Sequence, residues 1–541
     1  MKVRADIIKV AKNLHTWVGI TAGIFLFICF FAGGLTMFQH DLSRWAAPTQ
    51  QQLPKIELNQ YNHLIEEVQK RYPETHQSFL INFSAKEGFN APMQWEPAHS
   101  SDHDDHGFNA AQGTMLASLD QQGNLIVQQQ NVSKIGWLIE QLHETAGIPG
   151  TLGHHTIGVY VMGIVAVLYF LAIMSGLIVL LPTLVKDFFA IRPGKNKKRF
   201  WLDTHNVIGI TSLPFHIIIA ISVIVFAFHD LFYVALGKLA FKDQPLFERP
   251  APMVIEQKQP KLDIEKIYHR IHQQTPNYQI LGLSLRGLDK PAQANTFAAV
   301  YNPDQMLRGD NFDYLSFNPY QTSAYNLSTL DTHASNADRF IKSMFAIHFG
   351  NYGGDVTRWI YLVFGLAGAY LFYSGNILWV ESRLKKQKTP NQNIPIQRKD
   401  VRFMANLTIG SCLGCMLAIV ACLFLSRWYN LFILDITSIN HYLMYSYYVL
   451  FLLIVIYSFL IGAAKALPQL LLMISIFCFM IPFTTLIAII FPQSGLFYAK
   501  DLYLIDLIIL GFSILFLGFY QQAKKRLKNA PEGSIWSPIK Q

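Results

Sequence analysis

The sequence predicts an α-helical membrane protein of about eight transmembrane helices, in which a duplicated helix–insert–helix core carries two external α+β inserts. Composition is the first observation behind this reading. Of 541 residues 51% are hydrophobic and 15% charged, and the mean hydropathy is +0.25, a balance typical of membrane chains. The second is a series of apolar runs of the roughly 20 residues that a bilayer core requires. The third is internal repetition. His15-Thr16-Trp17-Val18-Gly19-Ile20-Thr21 and His205-Asn206-Val207-Ile208-Gly209-Ile210-Thr211 share H-x-x-x-G-I-T, and both runs close on His-Asp-Leu, at His40–Leu42 and His229–Leu231.

The first helix occupies residues 1–38. Its basic leader (Lys2, Arg4, Lys9, Lys12) belongs in the cytoplasm, and its apolar run is too long for a cleaved signal peptide. Residues 39–140 form the first insert: a helix near 59–71, then short strands near 78–84, 91–95, 114–119 and 124–128. The second span, about 156–182 within residues 141–185, returns to a loop rich in Lys186, Arg192, Lys195, Lys197, Lys198 and Arg199. That loop reads as cytoplasmic, which puts the insert outside. The third span, about 205–229 within 186–235, leads into a second insert, 236–342, with a helix at 262–274 and strands near 278–286, 295–301 and 312–318. The fourth span, about 358–380 within 343–382, is followed by a basic cytoplasmic loop, 383–402. Four more spans fill residues 403–521, and the basic tail 522–541 brings the C-terminus back to the cytoplasm. A net charge of +9 is therefore a topology signal, and a nucleic-acid partner is not implied.

The histidines carry the chemistry. His15 and His205 head odd-numbered helices at the cytoplasmic face, and His143 and His348 precede the returning helices at the outer face. Each copy thus supplies one histidine per face. Neutral imidazole is the commonest metal ligand, and two imidazoles facing one another between helices can hold haem. Gly19, Gly209 and Gly147 lie four residues after their histidines, where a missing Cβ leaves room for a flat macrocycle; His348 is followed by Gly350, Gly353 and Gly354. His216, roughly 16 Å beyond His205 in a straight helix, is an alternate ligand or a packed histidine. His40 and His229 are alternates for the outer ligands, with His155 and its neighbour His154 behind them.

A separate cluster, His99, Asp102, His103, Asp104, Asp105 and His106, has donors suited to a divalent metal, or is a solvated loop. All five cysteines lie in apolar runs, so Cys412-Leu413-Gly414-Cys415 reads as helix packing. No G-x-G-x-x-G after a strand, Walker A or H-E-x-x-H motif occurs. Any electrons come from a separate donor.

These features resemble the PepSY-associated transmembrane family, which includes siderophore-reductase-like and iron-regulated inner-membrane proteins. The residues that carry the resemblance are Leu14-His15…Gly19, Phe38-Gln39-His40-Asp41-Leu42, Leu142-His143-Glu144, Asp203-Thr204-His205-Asn206-Val207-Ile208-Gly209 with Leu213-Pro214, and His348-Phe349-Gly350-Asn351-Tyr352-Gly353-Gly354, spread over about residues 1–385. The resemblance implies four core helices, two PepSY-like periplasmic inserts, b-type haem and electron transfer across the inner membrane to periplasmic ferric chelates. With the paired histidines, the expectation for this chain is a di-haem (two haem b) reductase of ferric siderophores or other ferric chelates, fed by a flavoprotein or quinol. Trp95, Trp137 and Tyr352 are candidate chelate contacts. The competing readings are a non-catalytic membrane protein whose inserts bind a periplasmic partner, and a metal or proton transporter. Residues 400–541 lie outside the resemblance.

Overall fold

The computed structural model describes residues 3–537 except 49, 51, 85–90, 97–113, 131–132, 153–154, 189, 193–196, 240–260, 306–311, 321–329, 331–335, 386–393 and 434. Helix α1 (Ala5–Thr36) is buried through its second half, from Ala22 to Ala32, and a short helix α2 (Gln39–Trp45) caps its far end. Helix α3 (Tyr61–Arg71) buries Tyr61, Leu64, Ile65 and Val68, the i, i+3, i+4, i+7 stripe of an amphipathic helix. Strands β1 (Ser78–Asn82), β2 (Met93–Trp95), β3 (Met115–Leu119) and β4 (Leu125–Gln129) follow. Helix α4 (Ile135–Thr145) is too short to span a bilayer and ends with Ala146 and Gly147 at positive φ. A two-stranded ribbon, β5 (Thr151–Leu152) and β6 (His155–Thr156), leads into α5 (Ile157–Leu180) and the single turn α6 (Leu184–Asp187).

Helices α7 (Lys197–Thr211) and α8 (Leu213–Leu239) meet at an angle of 69°. The straight third span expected from the sequence is thus a broken one. Pro214, second in α8, has no N–H for the preceding turn, and its ring clashes there. The hydroxyls of Thr211 and Ser212 also back-bond to the carbonyls of Val207 and Ile208, which favours bending. Among the described residues seven helices are long and apolar enough to cross a membrane, eight if this bent pair is one span.

The second insert contributes α9 (Ile264–Gln274) and strands β7 (Gln279–Arg286), β8 (Asn295–Tyr301) and β9 (Asp313–Phe317). The seven strands of both inserts form one antiparallel sheet, ordered β4-β3-β2-β1-β7-β8-β9. The junction is β1 against β7, with Phe79 opposite Leu285 and Ile81 opposite Leu283. Joining the half-sheets removes two edges whose backbone groups would lack partners. Helices α3 and α9 share this core with Phe79, Ile81, Leu283 and Leu285. They are tied by Asn62, whose side chain reaches Asp263 and accepts from the Ile264 amide at 2.9 Å.

Helix α10 (Asn336–Phe349) then enters α11 (Gly354–Arg383), which packs along α1. Gly34 and Gly365 let those two backbones approach closely: a Cβ built on Gly365 would lie 2.7 Å from the Gly34 Cα. The remaining helices are α12 (Lys399–Tyr429), α13 (Ile436–Ile461), α14 (Ala463–Ile490) and α15 (Tyr503–Lys528). Helix α12 is largely buried, whereas α13 and α15 present most of their apolar residues outward, as helices facing lipid do. Arg427 of α12 stacks 3.9 Å over Trp45 of α2, and the Trp45 indole donates to Asp506 of α15 at 2.9 Å. This polar contact fastens the last four helices to the rest.

Candidate functional site

Four histidines meet in two pairs. His15 of α1 and His205 of α7 have ring centroids 6.2 Å apart. His143 of α4 and His348 of α10 are also 6.2 Å apart. The His143 ring packs on α1 at Cys29, fourteen residues beyond His15, so the pairs are separated by about 21 Å along that helix.

Each ring is anchored through the same nitrogen. His15 Nδ1 lies 2.8 Å from the Ala172 carbonyl of α5. His205 Nδ1 lies 3.1 Å from Ser374 Oγ of α11. His143 Nδ1 lies 3.0 Å from the Cys29 carbonyl, and His348 Nδ1 lies 2.8 Å from Ser222 Oγ of α8. An acceptor at Nδ1 places the proton there and leaves the Nε2 lone pair available, the tautomer that a metal-ligating histidine adopts. Ser222 is itself oriented by the carbonyls of Ile218 and Ile219.

Glycine lets three of the rings come close. A Cβ on Gly33 would lie 2.5 Å from His143 Nδ1, one on Gly176 would lie 2.9 Å from His15 Cε1, and one on Gly375 would lie 3.4 Å from His205 Cε1. Beside His15, Gly19 borders open space, and Gly209 meets only the tip of Leu371 at 3.5 Å. Gly147 and Gly350 differ from their expected role. Both lie past the ends of α4 and α10 at positive φ, so they terminate those helices instead of clearing one face.

The spacing suits a metal held between two imidazoles. Two metal–nitrogen bonds of roughly 2.0–2.1 Å, plus the depth of each ring, put the ring centres about 6 Å apart. Among the described residues no group of three or more His, Cys, Asp or Glu side chains is placed to hold a bare metal ion. A two-histidine site needs its remaining ligands from the cofactor, as a porphyrin supplies them.

The bent third span is held at its head by Asp203, which is buried and paired with Arg192 at 2.9 Å and Arg199 at 3.1 Å, two residues before His205. On the opposite side, a buried ion pair joins Lys342 of α10 to Asp313 of β9 at 2.7 Å. It fixes the His348 helix to the sheet.

The other sequence candidates fall elsewhere. His216 is 2% exposed in a box of Phe30, Phe215 and Tyr169, with Nδ1 2.5 Å from the Tyr169 hydroxyl and Nε2 without a partner. It faces no second histidine among the described contacts. His40 is exposed on α2. His155 lies in β6 and His229 in α8, with side chains outside the described residues, as are His154 and the cluster His99, Asp102, His103, Asp104, Asp105 and His106. Trp95 is 1% exposed in the sheet core and donates to Glu74, so it offers no surface to a chelate. Tyr352 is 40% exposed, and Trp137 lines a recess behind α4. Ser222, Gly33 and the carbonyls of Cys29 and Ala172 are contacts that sequence reading missed.

Comparison with known families matches residues 12–382 to a family described as the PepSY-associated TM region. No curated protein matches the chain.

Proposed function

The chain belongs to the PepSY-associated TM family, and from that premise we propose that it is a di-haem inner-membrane reductase which moves electrons outward to ferric siderophores or similar chelates, releasing Fe(II). The observation that carries the reading is the pair of 6.2 Å histidine contacts, each ring anchored at Nδ1. His15 with His205, and His143 with His348, would each hold one b-type haem. Bound there, haem supplies one-electron chemistry through the ferric and ferrous states of its iron. The chain's own work is to fix ring orientation, ligand basicity and burial, the levers that set a haem potential.

In this proposal the basic loops face the cytoplasm and the sheet lies in the periplasm. The inner pair then sits where a flavoprotein or quinol delivers electrons, and the outer pair where a ferric chelate accepts them. Fe(III) binds hard oxygen donors more strongly than Fe(II) does, so reduction loosens the chelate. The proposal includes an internal duplication. Its support is that His15 and His205 both pack on a Ser-Gly doublet of the returning helix, Ser175-Gly176 and Ser374-Gly375.

Sealed vesicles carrying the protein and an internal reductant provide the test. External ferric chelate should be reduced, as read by a ferrous trap outside, and His205→Ala should slow this at least tenfold. A variant that reduces as fast as the parent would refute the electron path. Metal uptake into vesicles without reductant would favour a transporter.

A further inference from the structure

A recess of about 110 Å³ lies behind α4, between that helix, the β5–β6 ribbon and α13. Trp137, Gln141 and Thr145 line it from α4, Thr156 from the ribbon, and Met444 and Tyr448 from α13. The exposed Thr151 also lines it. Thr156 is 6% exposed, and its hydroxyl is buried with no hydrogen-bond partner. An orphaned buried hydroxyl costs free energy unless something enters to meet it.

We propose that this recess binds one flat six-membered ring bearing hydroxyl or carbonyl oxygens. Size limits the guest: an apolar cavity of roughly 150 Å³ holds a single benzene, and this recess is smaller but open at one side. Trp137 and Tyr448 offer flat faces and Met444 a polarisable thioether suited to an aromatic edge. Thr156 and Gln141 supply hydrogen bonds for ring oxygens. Gln141 and Thr145 flank His143 on α4, so a bound ring lies one helix thickness from the outer histidine pair. Two sources carry this chemistry: a quinone or quinol from the bilayer, and the catechol arm of a chelate from solution. Exposed Tyr445 and Val449, beside the lining residues of α13, put the bilayer within reach.

The recess joins the family core to the last four helices and gives that added segment a task. Any electron exchange between the bound ring and the outer pair rests on the proposed reductase; the ability of the recess to bind a ring does not. The test is equilibrium dialysis of the full chain in lipid nanodiscs, with empty discs subtracted, using ubiquinone-1 and 2,3-dihydroxybenzoate as probes. One probe should saturate. Thr156→Val, which keeps shape and removes the hydroxyl, should weaken it about tenfold, and Met444→Trp, which fills the recess, should abolish it. Saturation by ubiquinone-1 alone assigns the bilayer source, by dihydroxybenzoate alone the soluble one, and by both a site for the shared ring chemistry. If neither probe saturates, or if Met444→Trp binds like the parent, the site does not exist. Haem content measured on the same sample separates this result from the reductase proposal, since a colourless protein that binds the ring sinks only the latter.

Discussion

At the scale of single residues, the histidine pairs depend on small neighbours more than on the histidines' own helices. A Cβ at Gly176 would sit 2.9 Å from the His15 ring, whereas one at Gly375 would sit at an ordinary 3.4 Å from His205. Gly176→Ala should therefore displace its ring and strip haem from the inner pair, and Gly375→Ala should be far milder. Overpacking of this kind costs about 1–3 kcal/mol. Haem content of the two purified variants checks the ordering, and equal loss or equal retention would contradict it. The four ligand candidates were legible in the sequence because repetition singled them out from the other fourteen of eighteen histidines. Their anchors were not. A backbone carbonyl such as that of Cys29 leaves no mark in the sequence, and Ser222 is one serine in an apolar run.

At the scale of elements, local pattern served well where periodicity is strict. Alternation marked the strands: β8 occupies Asn295–Tyr301, the range read from the sequence, β7 starts one residue later than expected, and β9 is one residue shorter at each end. It could not show that β1 and β7 pair, because sheet edges recognise backbone and carry no side-chain code. The bend at Ser212 was readable in principle from Pro214, but continuous hydropathy across it masked the break. The Lys342–Asp313 pair, buried on both sides, ties the His348 helix to β9. Lys342→Ala should lower the stability of that junction by about 3–5 kcal/mol by stranding the carboxylate, whereas Lys342→Met with Asp313→Leu should nearly restore it. Thermal unfolding of the purified chain in detergent reports both variants. A harmless single change would show that the junction is held by other contacts.

At the scale of the whole molecule, the Lys342–Asp313 pair joins a seven-stranded sheet to α10, the helix that carries His348. The sheet is thereby tied to the pair that His348 completes. Loss of Lys342 should accordingly loosen haem at His143 and His348 while sparing the inner site, a selectivity that haem counting in the variant resolves. The last four helices clasp the opposite side of α4 through Asn440, which accepts from the Lys134 amide at 2.8 Å. Nothing in residues 403–521 announced that contact, since one asparagine in an apolar helix has many possible partners. Under the proposed function, paired imidazoles hold iron porphyrin at two levels of the bilayer. Haem stoichiometry and spin state, read by pyridine haemochrome and low-temperature electron paramagnetic resonance on the full chain, test it most directly. Two low-spin b haems per chain are expected, one lost on changing His15 or His205 and the other on changing His143 or His348. A protein that stays colourless when supplied with haem, or one whose haem survives all four substitutions, would contradict it.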